Sequence, residues 1–494
     1  MAEDFSGRRV LVMGLGLHGG GLESAKYLAR RGAELTVTDL RDEKALAPSI
    51  EQLESFLREQ SASPAAVRYV LGRHETADFA QADLVIKNPG VSPGSPYLRA
   101  ARRIETDISL FLAVSPARLW AVTGSKGKSS TASALHWVLD RARDFSGAGA
   151  PSGRAWLGGN ITRSPLSFLD QVRAEDDVVL ELSSWQLADL RGRLRGGPGS
   201  PPLLKPRCAV ITAIMPDHLD RYAGMEDYVA DKRVVYQGQD RGDALIAGRD
   251  SWGRSFRAEG RGRPLSWGEG RPEPGESGGW LEGPEGAGLA RFYEGPAAAS
   301  PGEIIEAVPP EVLVPGRHQK QNLLAAALAL LDLGIPAELV REGLGSFPGI
   351  EHRLEFFHQA GGLRFYNDTA ATVPQAALAA VEAFEGRGRV LLAAGGSDKG
   401  LDLGPLAEAA EKAAAVVLLA GTASERLRAL LRDRGLSFQG PFDSPDSAVE
   451  ALLKQARPGD VVVLSPGCAS FGMFLNEFDR GAKWKEAVRR LARG

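Results

Sequence analysis

The chain has 494 residues, more than one hydrophobic core usually organises, so two to four domains are expected. Its 59 basic and 62 acidic residues leave a net charge of -3, which argues against a dominant nucleic-acid or acidic-membrane partner, because neither is held without excess positive charge. The 2 cysteines, Cys208 and Cys468, lie far apart, which excludes a disulfide framework and fits a reducing cytoplasm.

In chain order, the opening "MAEDFSGRRVLVMG" runs directly into a strand without the apolar core of a secretion signal. The longest apolar run, from Leu323, is too short to span a bilayer. A soluble cytoplasmic protein with no membrane partner is expected. Three α/β blocks follow, each of short aliphatic strands, glycine-rich loops and helical patterns. The first, residues 1–114, has strands at "RRVLVMG", "ELTVTD" and "ADLVIKNPG". The second, 115–349, has "RLWAVTG", "DVVLELSS" and "CAVITAI". The third, 350–494, has "LRFYNDTAA", "RVLLAAGGS", "AAVVLLAG" and "DVVVLSPG". This alternation predicts mostly parallel sheets with ligands at the strand carboxyl ends. Two stretches lack an apolar period: 191–206 reads as a surface loop, and 253–303 as a weakly structured insertion with room for a small hairpin.

Gly14, Gly16 and Gly19 have the G-x-G-x-x-G spacing between a strand and a helix, and Asp39 ends the next strand, where such folds bind ribose. The spacing suits NAD. It equally suits a nucleotide-diphosphate sugar, since a tight glycine turn at a helix N-terminus holds any diphosphate.

A second phosphate loop, Gly124, Ser125, Lys126, Gly127, Lys128, Ser129 and Ser130, joins a strand to an Ala-rich helix. Its lysine and hydroxyl suit the outer phosphates and Mg²⁺. The loop is short: Val122 stands where the usual pattern has its first glycine. Nearby strand ends offer Asn160, Glu181, Ser183, Ser184, Asp217, His218 and Asp220, suitable oxygen and imidazole donors around a Mg-nucleotide. No histidine or cysteine pairing suggests zinc, and no G-x-S-x-G elbow suggests a serine hydrolase.

Twelve motifs in one order carry a resemblance to a known family: "GLGLHGGGLESAKYLARRG", "NPGVSPGSP", "VTGSKGKSS", "GGNI", "LELSSWQL", "MPDHLDRY", "YVADKRVVYQ", "GRHQKQNLLAA", "EHRLEFF", "YNDTAAT", "AAGGSDKG" and "LSPGCASFGMF". The chain resembles the Mur ligases, ATP-dependent amide-forming enzymes of peptidoglycan synthesis, and among them the glutamate-adding branch. The short loop G-x-x-G-K-S matches this family's ATP loop.

The resemblance implies three domains: a Rossmann-like UDP-binding domain, a central P-loop-type ATPase domain and a Rossmann-like C-terminal domain. It implies that Gly14, Leu15, Gly16, Gly19, Asp39, Arg41, Asn88, Gly90 and Asn160 bind a UDP-sugar substrate, UDP-N-acetylmuramoyl-L-alanine. Gly124 to Ser130, Asn322, Arg353 and Asp368 would bind ATP. Ser129, Glu181, His218 and a carbamylated Lys232 would hold Mg²⁺, with Lys128, Glu181, His218 and Lys232 as the catalytic set. Without the resemblance Lys232 reads as a solvated helix lysine. Thr372, Lys399 and Ser470 would receive glutamate, in a cytoplasmic monomer.

Some positions depart from the family. Ala370 replaces a usual lysine beside the amino-acid site, Gln319 stands for Asn, and the aromatic near Asn476 is displaced to Phe478. These leave D- against L-glutamate open. Other readings also remain: another amino-acid adder of the family, a folate polyglutamate ligase, an NAD-dependent oxidoreductase, and a nucleotide-binding protein without turnover.

Overall fold

The aliphatic runs form the central strands of three sheets in the computed structural model, which describes residues 4–17, 19–60, 67–143, 153–161, 163–196, 198–218, 221–283, 286–297 and 300–493. The first sheet comprises β1 (Arg9–Met13), β2 (Glu34–Asp39), β3 (Arg68–Leu71), β4 (Leu84–Lys87) and β5 (Ile104–Glu105). All its pairings are parallel, in the order β3-β2-β1-β4-β5. The strand order reverses at β1, so the crevice between the carboxyl ends of β1 and β4 is the expected ligand position.

The second sheet holds β6 (Arg118–Thr123), β7 (Ala155–Gly159), β8 (Asp177–Glu181), β9 (Cys208–Ile211), β10 (Ala244–Gly248), β11 (Arg263–Glu269), β12 (Gly278–Glu282), β13 (Ala287–Arg291) and β14 (Ile305–Val308). Their order is β14-β13-β12-β11-β10-β9-β6-β8-β7, with antiparallel pairing only at β12–β13 and β13–β14 among the named strands. Continuous burial of β8, β9 and β10 explains their unbroken aliphatic sequences, because a parallel sheet is covered on both faces.

The expectation for 253–303 is corrected here. That stretch supplies β11, β12 and β13 to the sheet, and Trp267, Trp280, Leu281, Ala290 and Phe292 are buried. The hairpin anticipated there is β12–β13. Its glycines are packing residues: a Cβ on Gly279 would meet Leu324 Cδ1 at 2.7 Å, and one on Gly288 would meet Val308 Cβ at 2.6 Å. Composition alone reads such glycines as loop. The 191–206 stretch is largely loop, with Leu203 and Leu204 buried beneath it.

The third sheet comprises β15 (Glu355–Ala360), β16 (Leu363–Asn367), β17 (Val390–Ala394), β18 (Ala415–Leu419), β19 (Gln439–Phe442) and β20 (Val461–Leu464). The order is β15-β16-β20-β17-β18-β19, parallel except for β15.

The chain divides into two compact units, one of Met1–Pro309 with Gln321–Leu344, the other of Pro310–Lys320 with Gly345–Gly494. The first unit contains both the first and second sheets. Within it, Lys87 at the end of β4 forms a buried ion pair with Asp189 at 2.8 Å. Arg193 donates to Glu105 Oε2 at 2.6 Å and to the Ile104 carbonyl at 2.9 Å, adding a second tie between the sheets. Among the described residues, no helix is long and apolar enough to cross a membrane.

Candidate functional site

A cavity of about 530 Å³ lies in the first unit, where the carboxyl ends of its two sheets face each other. Leu15, Gly16, Leu17, Gly20, Arg41, Asn88, Pro89 and Gly90 line one side, from loops after β1, β2 and β4. Lys128, Asn160, Trp185, His218, Tyr228 and Lys232 line the other. The topology brings them together because each follows a strand of a parallel sheet, whose loops collect at one edge.

The first glycine loop is held from behind. Asp39 accepts from the Gly16 N–H at 3.2 Å and from the Arg41 N–H at 3.0 Å. Asn88 Nδ2 donates to the Gly14 carbonyl at 3.3 Å. Gly14 and Gly19 both have φ of 91°, in the left-handed region where glycine is favoured. Close helix packing falls to Gly21, which the fingerprint did not include: a Cβ there would overlap the Gly14 carbonyl.

At the second loop, Gly127 has φ of 90° and precedes the helix Lys128–Ala142. The first N–H groups of this helix have no intrahelical carbonyl, which leaves an anion-binding end at Lys128, Ser129 and Ser130. Lys128 folds over the loop, donating to the carbonyls of Gly124 at 3.0 Å and Ser125 at 2.9 Å. Ser125 does a different job. Its N–H donates to the Ala213 carbonyl at 2.8 Å, its hydroxyl donates to the Met215 carbonyl at 2.8 Å, and Tyr228 Oη lies 2.9 Å away. Lys126 is exposed and sits 3.5 Å from Asp217. Asn322 packs against Gly127, so close that a Cβ on Gly127 would strike its amide. Gly124, with φ of 145°, is pressed against Thr212 in the same way.

Beyond that loop, Glu181 is buried at the end of β8. Its Oε1 accepts from Asn160 Nδ2 at 2.9 Å, whereas its Oε2 is buried with no hydrogen-bond partner among the described residues. An orphaned carboxylate oxygen inside the protein is costly unless a donor or a cation completes it. His218, with φ of 54°, packs against Trp185, their ring centroids 5.1 Å apart. Asp220 lies outside the described residues.

Lys232 departs most from its bare sequence reading. It is 1 % exposed, donates to the Gly124 carbonyl at 2.8 Å, and lies over the Tyr228 ring. Burial, reinforced by the neighbouring Lys128 charge, pulls its ammonium down to about 7. The residues fit a bound cation: Glu181 supplies an unsatisfied oxygen, and a lysine that readily loses its proton can be converted to an anionic ligand.

Sequence reasoning missed Asp107 and Ser164, which also line the cavity. Ser164 donates to Asp107 Oδ2 at 2.8 Å, and burial raises the pKa of this aspartate. Its signal was the helix start Thr106-Asp107, whose threonine caps the helix Asp107–Val114.

The second unit carries the remaining predicted residues. Asp368 is buried after β16, accepting from the Leu354 N–H at 3.1 Å and the Ser465 hydroxyl at 2.6 Å. Burial pushes its carboxyl up to about 7. Arg353, with its side chain exposed, is flanked by His352 and Leu354, which both have positive φ. Two backbone ties join the loops that bear the others. The Gly467 N–H donates to the Ala371 carbonyl at 2.9 Å, next to Thr372, and Ser397 and Ala469 form a bridge between the loops of Lys399 and Ser470.

Three family models match the chain: "Mur ligase MurD-like, N-terminal domain" over residues 8–109, "Mur ligase middle domain" over 122–330, and "Mur ligase, glutamate ligase domain" over 352–468. A UDP-N-acetylmuramoylalanine--D-glutamate ligase of Treponema pallidum is 42% identical, covering 98% of each chain. One from a Roseiflexus species is 39% identical, again over 98% of each. Among solved structures, the UDP-N-acetylmuramate-alanine ligase of Thermotoga maritima shares the fold at a TM-score of 0.53 and 16% identity, over 98% of this chain and 99% of that one.

Proposed function

Because the chain belongs to the Mur ligase family, whose members use ATP, we propose that it adds D-glutamate to UDP-N-acetylmuramoyl-L-alanine through an acyl phosphate. The observation that carries this reading is the single cavity lined both by the Gly16 turn and by Lys128, Asn160, His218 and Lys232. On this reading, a turn that holds a diphosphate and a turn that holds a triphosphate face one chamber. The NAD-dependent oxidoreductase reading of the Gly14 fingerprint is overturned by the family assignment.

In the proposed reaction, the alanyl carboxylate attacks the γ-phosphorus of ATP, releasing ADP and leaving an acyl phosphate. The glutamate amine then attacks the acyl carbon, and phosphate departs as the amide forms. The protein's part is alignment and charge stabilisation. The N–H groups at Lys128 to Ser130 and the Lys128 ammonium grip the nucleotide phosphates, with Gly124, Ser125, Lys126 and Gly127 shaping the loop. Asn322 in the first unit, and Arg353 and Asp368 in the second, are assigned to ATP on the same reading. Gly14, Leu15, Gly16, Gly19, Asp39, Arg41, Asn88 and Gly90 hold the uridine diphosphate, and Asn160 meets the muramoyl part. Thr372, Lys399 and Ser470 receive glutamate.

Mg²⁺ would be held by Ser129, Glu181, His218 and Lys232 as its carbamate, and would neutralise phosphate charge. The neutral Lys232 amine adds to CO₂ and releases a proton, which turns a buried amine into an anionic oxygen ligand. We further propose domain boundaries at 1–114, 115–349 and 350–494, and a monomer working in the cytoplasm, where ATP and sugar nucleotides are made.

The test is phosphate release from Mg-ATP with UDP-N-acetylmuramoyl-L-alanine and each glutamate enantiomer in turn. Turnover with D-glutamate is expected. Turnover with L-glutamate alone would overturn the stereochemistry, and turnover with neither would overturn the assignment.

A further inference from the structure

Arg480 is 1 % exposed, in the helix Glu477–Leu491 of the second unit. Its Nε donates to Thr369 Oγ1 at 3.0 Å, one terminal nitrogen to the Thr369 carbonyl at 2.9 Å, and the other to the Cys468 carbonyl at 3.1 Å. Thr369 follows β16 and Cys468 follows β20, so one planar cation bridges two strand ends. The approach is built for closeness: the next residue is Gly481, whose Cβ would meet Thr369 Cγ2 at 2.6 Å and His352 Nδ1 at 2.7 Å.

Core filling does not account for this residue. A buried cation carries a desolvation cost that an apolar side chain of similar volume avoids. Among the described residues, no carboxylate lies within ion-pair distance to offset it. Burial lowers the Arg480 pKa to about 10, so the guanidinium remains charged at neutral pH. What the cation provides instead is a rigid three-donor fork, which a methionine or leucine cannot reproduce.

We propose that Arg480 is the positioning residue of the amino-acid site, fixing the loop of Thr372 and the loop of Ser470 in one relative geometry. This rests on the reading of those loops as the glutamate site. Two observations favour it. Thr372 lies three residues after one anchor and Ser470 two residues after the other, too short a span for either loop to relax independently. Asp368, adjacent to Thr369, has its own bonds from Ser465 and Leu354, so the carboxylate assigned to ATP is held by groups other than Arg480.

The test compares full-length Arg480→Met, Arg480→Lys and Thr369→Val with the unaltered enzyme by phosphate release, titrating each substrate separately. Loss of a positioning contact for one substrate should raise KM for D-glutamate roughly tenfold or more in Arg480→Met, with KM for ATP and for the sugar nucleotide within roughly threefold. Arg480→Lys should recover part of the loss. Thr369→Val, which removes one acceptor, should show a smaller shift of the same kind and serves if Arg480→Met does not fold. Equal changes for all three substrates, or an unmoved glutamate KM in the folded variants, would overturn the inference while leaving the functional reading intact. An unaltered enzyme that does not turn over glutamate would overturn both.

Discussion

Lys232 in the first unit and Asp368 in the second are buried groups of opposite charge, each brought by burial to a pKa of about 7. They arrive there differently. Lys232 donates to a carbonyl and feels the Asp217 and Asp231 charges, but burial and the like charge of Lys128 outweigh them. Asp368 accepts two hydrogen bonds and feels the Arg353 charge, so its surroundings partly support its anion and burial alone pushes it up. The lysine is therefore poised to become something else, whereas the aspartate is poised to gain a partner.

The largest effect expected from this contrast is on stability. Below pH 7 the folded protein carries Lys232 as a buried cation, and the unfolded chain, with lysine near 10.5, binds its proton freely. The penalty is full below pH 7 and fades as pH rises from 7 to 10.5. Without divalent metal and bicarbonate, Lys232→Met should raise stability at pH 6 by as much as about 5 kcal/mol, with the gain shrinking towards pH 10. Urea unfolding at the two pH values measures it; a pH-independent difference would show that burial does not penalise the Lys232 cation. In bicarbonate, intact-mass measurement should show Lys232 gaining one CO₂.

Lys128→Ala probes the opposing cation. In the proposed reaction this removes a preorganised donor at the transferring phosphoryl, so kcat should fall by about 10³-fold or more, near 4 kcal/mol. It should also raise the Lys232 pKa, since the Lys128 charge helps depress it. Retained turnover in the phosphate-release assay would exclude Lys128 from the reaction.

What the sequence disclosed follows from the same physics. Strands β6, β8 and β9 are buried on both faces and read as aliphatic runs, and the polar residues at their ends stand out by contrast. Strands β12 and β13 were legible only as room for a small hairpin and their place in the main sheet was hidden, because Gly278, Gly279 and Gly288 are there for close packing and composition cannot distinguish that from a loop. The burial of Lys232 did leave a trace. Tyr228, Val229 and Lys232 share one buried helix face, the spacing of an apolar stripe with a lysine in it. Arg480 left a similar one, at helical spacing with Trp484, Ala487 and Val488. In both cases a charged residue on an apolar stripe marked a buried position, and for Lys232 the bare reading as a solvated lysine was the error.

Asp368→Asn probes the buried carboxyl, with the opposite pH sign. The folded pKa lies above the ordinary 3.8, so the penalty is absent below pH 3.8, grows to pH 7 and is full above it. The asparagine variant should be more stable than the parent by about 2 to 4 kcal/mol at pH 8 and equal to it near pH 3.5, while ATP affinity falls. Equal stability at pH 8 would mean that the carboxylate is not penalised by burial.

The smallest effect belongs to Lys399, which is exposed in the loop after β17. Unlike Lys232 it has no desolvation to overcome, so its contribution is confined to the contact it makes with a ligand. A charge-assisted bond to a glutamate carboxylate is worth about 1.5 to 3 kcal/mol, so Lys399→Ala should raise the glutamate KM about tenfold to a hundredfold with ATP affinity unchanged. Its loop should hold its shape, since Asp398 accepts from the Gly400 N–H at 2.8 Å and pairs with Arg426, neither bond involving the lysine. Equal loss for both substrates would show that Lys399 acts on the whole unit. A loss for glutamate alone would set an exposed, ligand-facing lysine against a buried, chemically altered one within a single reaction.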